Sequence, residues 1–394
     1  MNLLNYIIWA TDPVFFHLPF NDHPVRYYGL LFTLSLVISQ QILFYIYKKE
    51  SKPEKDVETL TIYLVLATVV GARLGHVFFY DFPNNPSKII NDPLYIFKIW
   101  EGGLASHGAA IGLLTALWFY TSFKFVINPF GKGEKFVFKK QKRANQSFLQ
   151  MVDRVAILAA ICGCLIRVGN FMNSEIVGKP TDSEQGVVFA ANLNQFVQEF
   201  PTPIAEITYK KSESNLNYKT GYVPIHAEIT FKNHPDVRTQ EGVESYLNKS
   251  FKAQLKGKSY LREHFYVSDS IEFINKISQN NAGEYTAEVN IFGIPRYPAQ
   301  LYEASSCLVL FILLFFLWNK WKNKTPQGLL FGIFLTLVFT MRFLYEFLKE
   351  NQVGFEDDLA LNMGQILSIP LVVIGLILLI RGLKKKNDPE YKIE

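Results

Sequence analysis

The feature that most constrains this chain is residues 27–47, a run of 21 without a single charge. A hydrocarbon core of about 30 Å takes roughly 20 helical residues to cross. In lipid a helix is one of only two ways to satisfy every backbone N–H and C=O. Six further apolar segments follow, at 57–80, 104–123, 151–168, 298–318, 328–348 and 363–380. Some have short uncharged centres, 155–166 for instance, so a full crossing requires Arg167 and Arg342 to lie inside their spans. Charged residues make up 19% of the chain, against about a quarter in soluble domains, and the deficit is concentrated in these segments. The pattern predicts an all-α integral membrane protein, seven transmembrane helices with an inserted extracytoplasmic α+β head.

Orientation follows from the loops, because lysine and arginine accumulate on the cytoplasmic side. Loops 48–56, 124–148, 319–327 and 381–394 carry 4, 7, 3 and 5 of them, whereas 81–100 and 349–362 carry 2 and 1. The N-terminus is therefore expected outside and the C-terminus in the cytoplasm. Arg73 and His76 then lie at the outer end of the second span, His107 opens the third, and Arg167 and Asn170 close the fourth. Gln300, Tyr302 and Glu303 open the fifth, Arg342 and Glu346 close the sixth, and Gln365 opens the seventh. An arginine at helix centre costs about 2.5–3.5 kcal/mol on insertion scales. One alone near a helix end snorkels to headgroups, and Arg342 and Glu346 at i,i+4 neutralise each other. Several at one depth instead predict shared partners or an anionic ligand, in a site open to the outer leaflet.

Three stretches carry a family resemblance. Trp100, Gly102, Gly103, His107 and Gly108 fit W-x-G-G-x-x-x-H-G. Arg167, Gly169, Asn170, Phe171, Asn173, Glu175 and Gly178 fit R-x-G-N-F-x-N-x-E-x-x-G, and Pro298, Gln300, Leu301, Tyr302 and Glu303 fit P-x-Q-L-Y-E. Shorter matches surround Tyr28, Arg73, Arg342 with Glu346, and Gln365. In this order the set resembles the prolipoprotein diacylglyceryl transferases and leaves out mainly 125–148 and 179–290. Three positions depart from the family pattern: Ile166 replaces a glycine, His76 a tyrosine and Tyr297 a histidine, which leaves their roles open.

The resemblance implies a reaction that moves a diacylglyceryl group from phosphatidylglycerol to the lipobox cysteine of a prolipoprotein. A thioether forms and glycerol phosphate leaves, in the bacterial inner membrane, as the first step of lipoprotein maturation. The residues suit that chemistry. A thiol with a pKa near 8.5 is only slightly ionised at neutral pH, so a base assists it. His107, beside Gly102, Gly103 and Gly108 where backbone can approach substrate, takes the proton or else hydrogen-bonds and orients lipid. A phosphate leaving group calls for arginine, whose planar fork stays charged when desolvated. Arg167 and Arg342 are the first candidates and Arg73 the third, with Glu346 orienting Arg342. His107, Arg342 and Glu346 form the expected catalytic set. Arg167, Asn170, Asn173, Glu175, Gly178, Arg73, Tyr28, Gly102, Gly108, Gln300, Tyr302 and Glu303 form the expected substrate-binding set. Tyr28 fits either a headgroup contact or interfacial anchoring. Asp153 matches a family position but lies 14 residues before Arg167, about 21 Å along a helix, so structural support is expected of it, through Arg154 or the basic loop.

The domains expected are an outer interfacial N-terminal segment at 1–26, spans one to four at 27–178, an extracytoplasmic head at 179–290, spans five to seven at 291–380 and a basic tail at 381–394. Leu3, Leu4, Ile7 and Ile8 recur at helical spacing and predict a short interfacial helix. In the head, alternation of Val223, Ile225, Ala227, Ile229 and Phe231 predicts a strand, as do Tyr285, Ala287 and Val289, and 241–257 reads as helical. His226, His234 and His264 lack ligand spacing, and Cys162, Cys164 and Cys307 form no pair, so no metal and no cofactor is expected. Partners are phosphatidylglycerol, prolipoprotein signal peptides and membrane lipid, with no nucleic acid. A transporter is the rival, since buried ionisable residues also mark transport paths, although the polar groups favour one face and no internal repeat is evident.

Overall fold

A computed structural model describes residues 6–20, 22–98, 103, 105–127, 136–140, 143–212, 221–280, 283–350 and 360–386. Seven long helices form on the apolar segments: α1 Tyr27–Lys49, α2 Lys55–His76, α3 Ser106–Ser122, α4 Phe148–Met172, α5 Ala299–Trp321, α6 Leu329–Tyr345 and α7 Met363–Lys386. Six segments, those of every helix but α3, are long and apolar enough to cross a membrane. The chain is a helix-rich membrane protein with six candidate spans. At 17 residues, about 25 Å, α3 falls just short of that length.

The chain divides into two compact units. The first comprises Met1–Phe32, Cys164–Ser306 and Met341–Ile366. Its sheet is antiparallel, in the order Ile274–Gln279, Tyr285–Gly293, Val223–Phe231, Ile204–Lys211, with Phe265–Tyr266 on the end of Tyr285–Gly293. The alternation expected at 223–231 is observed, since Val223, Ile225, Ala227, Ile229 and Phe231 are buried between half-buried neighbours. They pack with Val243, Leu247, Phe251 and Leu255, from the helical turns that run through Gln240–Ser245, Tyr246–Phe251 and Lys252–Gly257. The N-terminal expectation fails. Ile7–Trp9 is a strand paired in parallel with Val187–Phe189, and Leu3 and Leu4 lie outside the described residues. A short isolated helix has a costly nucleus, whereas strand pairing satisfies the backbone and buries Tyr6 in the sheet core.

The second unit comprises Thr33–Gly163, Cys307–Thr340 and Leu367–Glu394. Here α2 and α3 meet backbone to backbone: a Cβ on Gly71 would lie 2.5 Å from the Gly108 oxygen, and one on Gly112 would lie 2.4 Å from that of Ala67. Small residues four apart permit this approach in lipid, where helix association gains little from burying apolar surface. A buried ion cluster closes the α1–α2 turn. Arg154 Nη2 is 2.5 Å from Glu50 Oε1, Lys52 Nζ is 2.6 Å from Oε2, and Trp318 Nε1 donates to Oε1 at 2.7 Å. Burial alone would raise the Glu50 pKa, but Arg154 and Lys52 hold it below the usual carboxylate value.

Two outcomes follow. Glu50→Gln strands the buried Arg154, a change that typically costs about 3–5 kcal/mol, so thermal unfolding in detergent should fall by several degrees; an unchanged Tm contradicts the role given to the pair. In the first unit His264 is buried, and burial, then Arg296, lowers its pKa from 6.5 to about 3. Between those values the unfolded chain holds the proton and the folded one does not, so stability declines as pH falls from 6.5 towards 3. His264→Leu should flatten that decline in a pH series of unfolding midpoints.

Candidate functional site

In the first unit, α4 ends at Met172 and the chain turns through the left-handed region at Ser174 and Ile176, φ 56° and 55°. A β-branched residue avoids that region, so this loop is held by what it contacts. Between the two turns, Glu175 accepts from Asn173 Nδ2 at 2.6 Å and Asn170 Nδ2 at 3.3 Å, and its carbonyl accepts from Gln300 Nε2 at 2.6 Å. Arg167 donates through Nη1 to Asn170 Oδ1 at 3.2 Å, and its Nε lies 2.6 Å from Glu303 Oε2. The other Glu303 oxygen is bound by Lys349 Nζ. Lys349 in turn lies 3.5 Å from Glu346 Oε1, which faces Arg342 Nε at 3.8 Å. The result is an alternating row: Arg167, Glu303, Lys349, Glu346, Arg342. Alternation makes this burial tolerable, since each charge is compensated by its neighbours. Arg342, with 40% of its side chain exposed, is the most exposed cation of the row, against 22% for Arg167 and 4% for Lys349.

Glycines and small contacts seat the row. A Cβ on Gly364 would lie 2.7 Å from the carboxyl carbon of Glu346, and one on Gly169 would lie 3.1 Å from Tyr28. Tyr28 therefore packs on the signature motif. Gly178 is where two chain segments cross, its N–H donating to the Tyr297 carbonyl at 3.0 Å, and a Cβ there would meet that oxygen at 2.6 Å. Asn362 Nδ2 donates to Glu346 Oε2 at 3.2 Å, and Asn362 and Gln365 cap each other at the start of α7. The Tyr302 carbonyl accepts from Tyr345 Oη at 3.3 Å. Among the described residues, Asn173 Oδ1 and Gln300 Oε1 are buried acceptors without a hydrogen-bond partner.

His107, Gly108, Arg73 and Asp153 belong to the second unit. His107 sits half-buried in the first turn of α3, against the rings of Phe79 at 4.9 Å and Tyr80 at 5.8 Å. The open side of Gly108, expected to admit substrate, is filled by the backbone of Gly71 and Gly75. Arg73 is buried and donates to the carbonyls of Ile96 at 3.2 Å and Tyr95 at 2.7 Å. Asp153 gives structural support by a route other than Arg154, capping α6: Oδ2 accepts from Gly328 N at 2.7 Å and Oδ1 from Phe331 N at 2.9 Å. Trp100, Glu101 and Gly102 lie outside the described residues.

Lys349 and Asn362 were not foreseen. Both fall in a loop read only for its sparse positive charge, yet Lys349 follows Glu346 by three residues, a spacing that places helical neighbours side by side. Arg296 is a third omission. It donates to the carbonyls of Glu263 and Gly178 and lies 2.9 Å from Glu350 Oε1, bracing the crossing at Gly178.

Six candidate spans with an alternating ion row at the ends of α4, α5 and α6 define a polytopic membrane protein. The profile of the family described as prolipoprotein diacylglyceryl transferase matches residues 13–212 and 244–381. The chain belongs to that family. It is 30% identical over 380 residues to the phosphatidylglycerol–prolipoprotein diacylglyceryl transferase of Tolumonas auensis, covering 96% of this chain and 99% of the relative. Similar proteins bearing the same name occur in Bacteroides fragilis, 29% identical over 98% of this chain and 99% of the relative, and in Porphyromonas gingivalis, 30% identical over 98% and 97%.

The row predicts that Lys349→Met leaves Glu303 and Glu346 buried without their shared cation and lowers the unfolding midpoint by several degrees, since a stranded buried charge typically costs about 3–5 kcal/mol. Lys349→Arg should recover most of the loss. Equal destabilisation by both variants would mean that packing, not charge, is what Lys349 supplies.

Proposed function

We propose that this protein transfers the diacylglyceryl group of phosphatidylglycerol to the lipobox cysteine of prolipoproteins, as the names of its relatives describe. The observation that carries the reading is the alternating row, because a cation with one flank open is what a departing phosphate ester requires. In this reading Arg342 receives the phosphate and Glu346 orients it. Arg167 is braced by Glu303, while the unpartnered acceptors of Asn173 and Gln300, with Asn170 and Glu175, suit the glycerol hydroxyls. Tyr28 lines the same motif at the headgroup level. Tyr302 holds Tyr345, Gly178 lets its segment cross that of Tyr297, and Gly108 packs α3 on α2 one residue after His107. Arg73, committed to two carbonyls, is assigned to holding the 93–97 turn.

His107 takes the thiol proton as sulfur bonds to the glyceryl carbon. The carbon–oxygen bond to phosphate breaks, and its electron pair leaves with glycerol phosphate. The topology read from the loop charges supports this assignment, since it puts His107 and the row at the outer membrane face. That topology counts α3 as a seventh span, supported by its glycine seam with α2, and places the sheet-bearing residues 179–290 outside the inner membrane as an inserted head. It leaves the N-terminus outside and the C-terminus in the cytoplasm.

The test is incubation of purified protein with phosphatidylglycerol vesicles and a lipobox peptide, read by mass spectrometry. A diacylglyceryl adduct on cysteine is expected. Unmodified peptide from well-folded protein, with lipid or solute moved across the vesicle, would favour a transporter. Arg342→Lys, which keeps charge but loses the fork, should lower transfer at least about tenfold, the loss of roughly 1.4 kcal/mol. His107→Gln should abolish the acidic limb of the pH–rate profile.

A further inference from the structure

The turn after α2 carries a second imidazole that the reaction above does not use. At His76 the helix passes into a π-helical turn, Val77–Asp81, a conformation that is rare and concentrated at functional sites. The turn brings Asp81 Oδ1 to 3.5 Å from His76 Nε2. It also stacks Tyr80 on the His76 ring, centroids 5.3 Å and planes 23° apart. Tyr80 also meets the ring of His107, at 5.8 Å and 45°. Asp81 Oδ2 accepts from Tyr95 Oη at 3.0 Å, and the Tyr95 ring carries Arg73 at 4.6 Å and Lys88 at 4.0 Å. On a further side Gly103, φ 75°, presses its backbone so near that a Cβ would lie 2.3 Å from His76 Cδ2. Carboxylate, aromatic ring and backbone thus fix one imidazole, and one phenol ring lies between it and the other.

We propose that His76, held by Asp81, is a positioning residue for the transfer, setting through Tyr80 the orientation and the charge environment of His107. The inference rests on the reading of His107 as the base. When protonated, His76 pairs with Asp81 and lies on the face of Tyr80, so the pair presents no net charge towards His107. Without the imidazole, the Asp81 carboxylate keeps the Tyr95 hydroxyl but loses the cation at its Oδ1, and its uncompensated charge favours the protonated form of His107. Among the described residues, the ionisable groups facing His76 are Asp81 and Tyr80 from its own turn, with Tyr95, Arg73 and Lys88 behind Asp81 and His107 beyond Tyr80. Gly103 contributes only backbone.

The experiment is the pH dependence of kcat/KM for lipobox-peptide modification by the full-length protein in phosphatidylglycerol nanodiscs. His76→Gln should move the acidic limb to higher pH by about half a pH unit or more, and adding Asp81→Asn should bring it back. Asp81→Asn alone, which serves if His76→Gln does not fold, should move it to lower pH. A structural role would lower the rate without moving the limb. An acidic limb that persists in His107→Gln would overturn the reading of His107 itself. A limb lost in His107→Gln yet unmoved in His76→Gln, Asp81→Asn and the double variant would overturn this inference alone.

Discussion

Lys349 lies between two buried carboxylates, and the loops and helix ends around it are arranged so that it can. A membrane interior tolerates charge only where opposite charges are held in contact. In this row Glu303 and Glu346 each bind cations on two sides. Features that would look unrelated one at a time serve that arrangement. The left-handed turns at Ser174 and Ile176 aim Glu175 back at its asparagines, Gly364 leaves room for the Glu346 carboxylate, and Gly178 lets two segments cross against Lys349. The row ends at its most exposed cation, Arg342.

In the second unit the buried charges at the α1–α2 turn are paired within one cluster. Glu50 accepts from Arg154 and Trp318 and pairs with Lys52, while Gln146 gathers the hydroxyls of Tyr47 and Tyr120 and donates to Asp56. Every polar group named there is engaged with another protein group, the pattern of a structural network. In the first unit, by contrast, the acceptors of Asn173 and Gln300 beside the row have no hydrogen-bond partner among the described residues.

Much of this was legible in the residues. Long uncharged runs have few alternatives to helices, so the seven segments were readable, as was the period-two strand at 223–231. The signature motif named the polar residues at the end of α4, and separate short stretches named Gln300, Glu303, Arg342 and Glu346 on α5 and at the end of α6, but not Lys349. What was illegible depends on long-range contact. Ile7 and Ile8 keep helical spacing with Leu3 and Leu4, yet the partner that makes Ile7–Trp9 a strand lies at Val187–Phe189. Lys349 looked like an ordinary loop lysine until the fold brought Glu303 to it. Gly108 read as an opening for substrate because nothing local shows that Gly71 and Gly75 occupy the space.

The seam between α2 and α3 has a consequence for temperature. Adhesion that relies on driving apolar side chains out of water weakens on cooling, but Gly71, Gly75, Gly108 and Gly112 bring peptide groups into direct van der Waals contact, and dispersion between close-packed atoms has no such dependence. Because these glycines have no side chains that could change rotamer, the close contact along α2 and α3 should hold in a chilled, ordered bilayer as in a warm, fluid one.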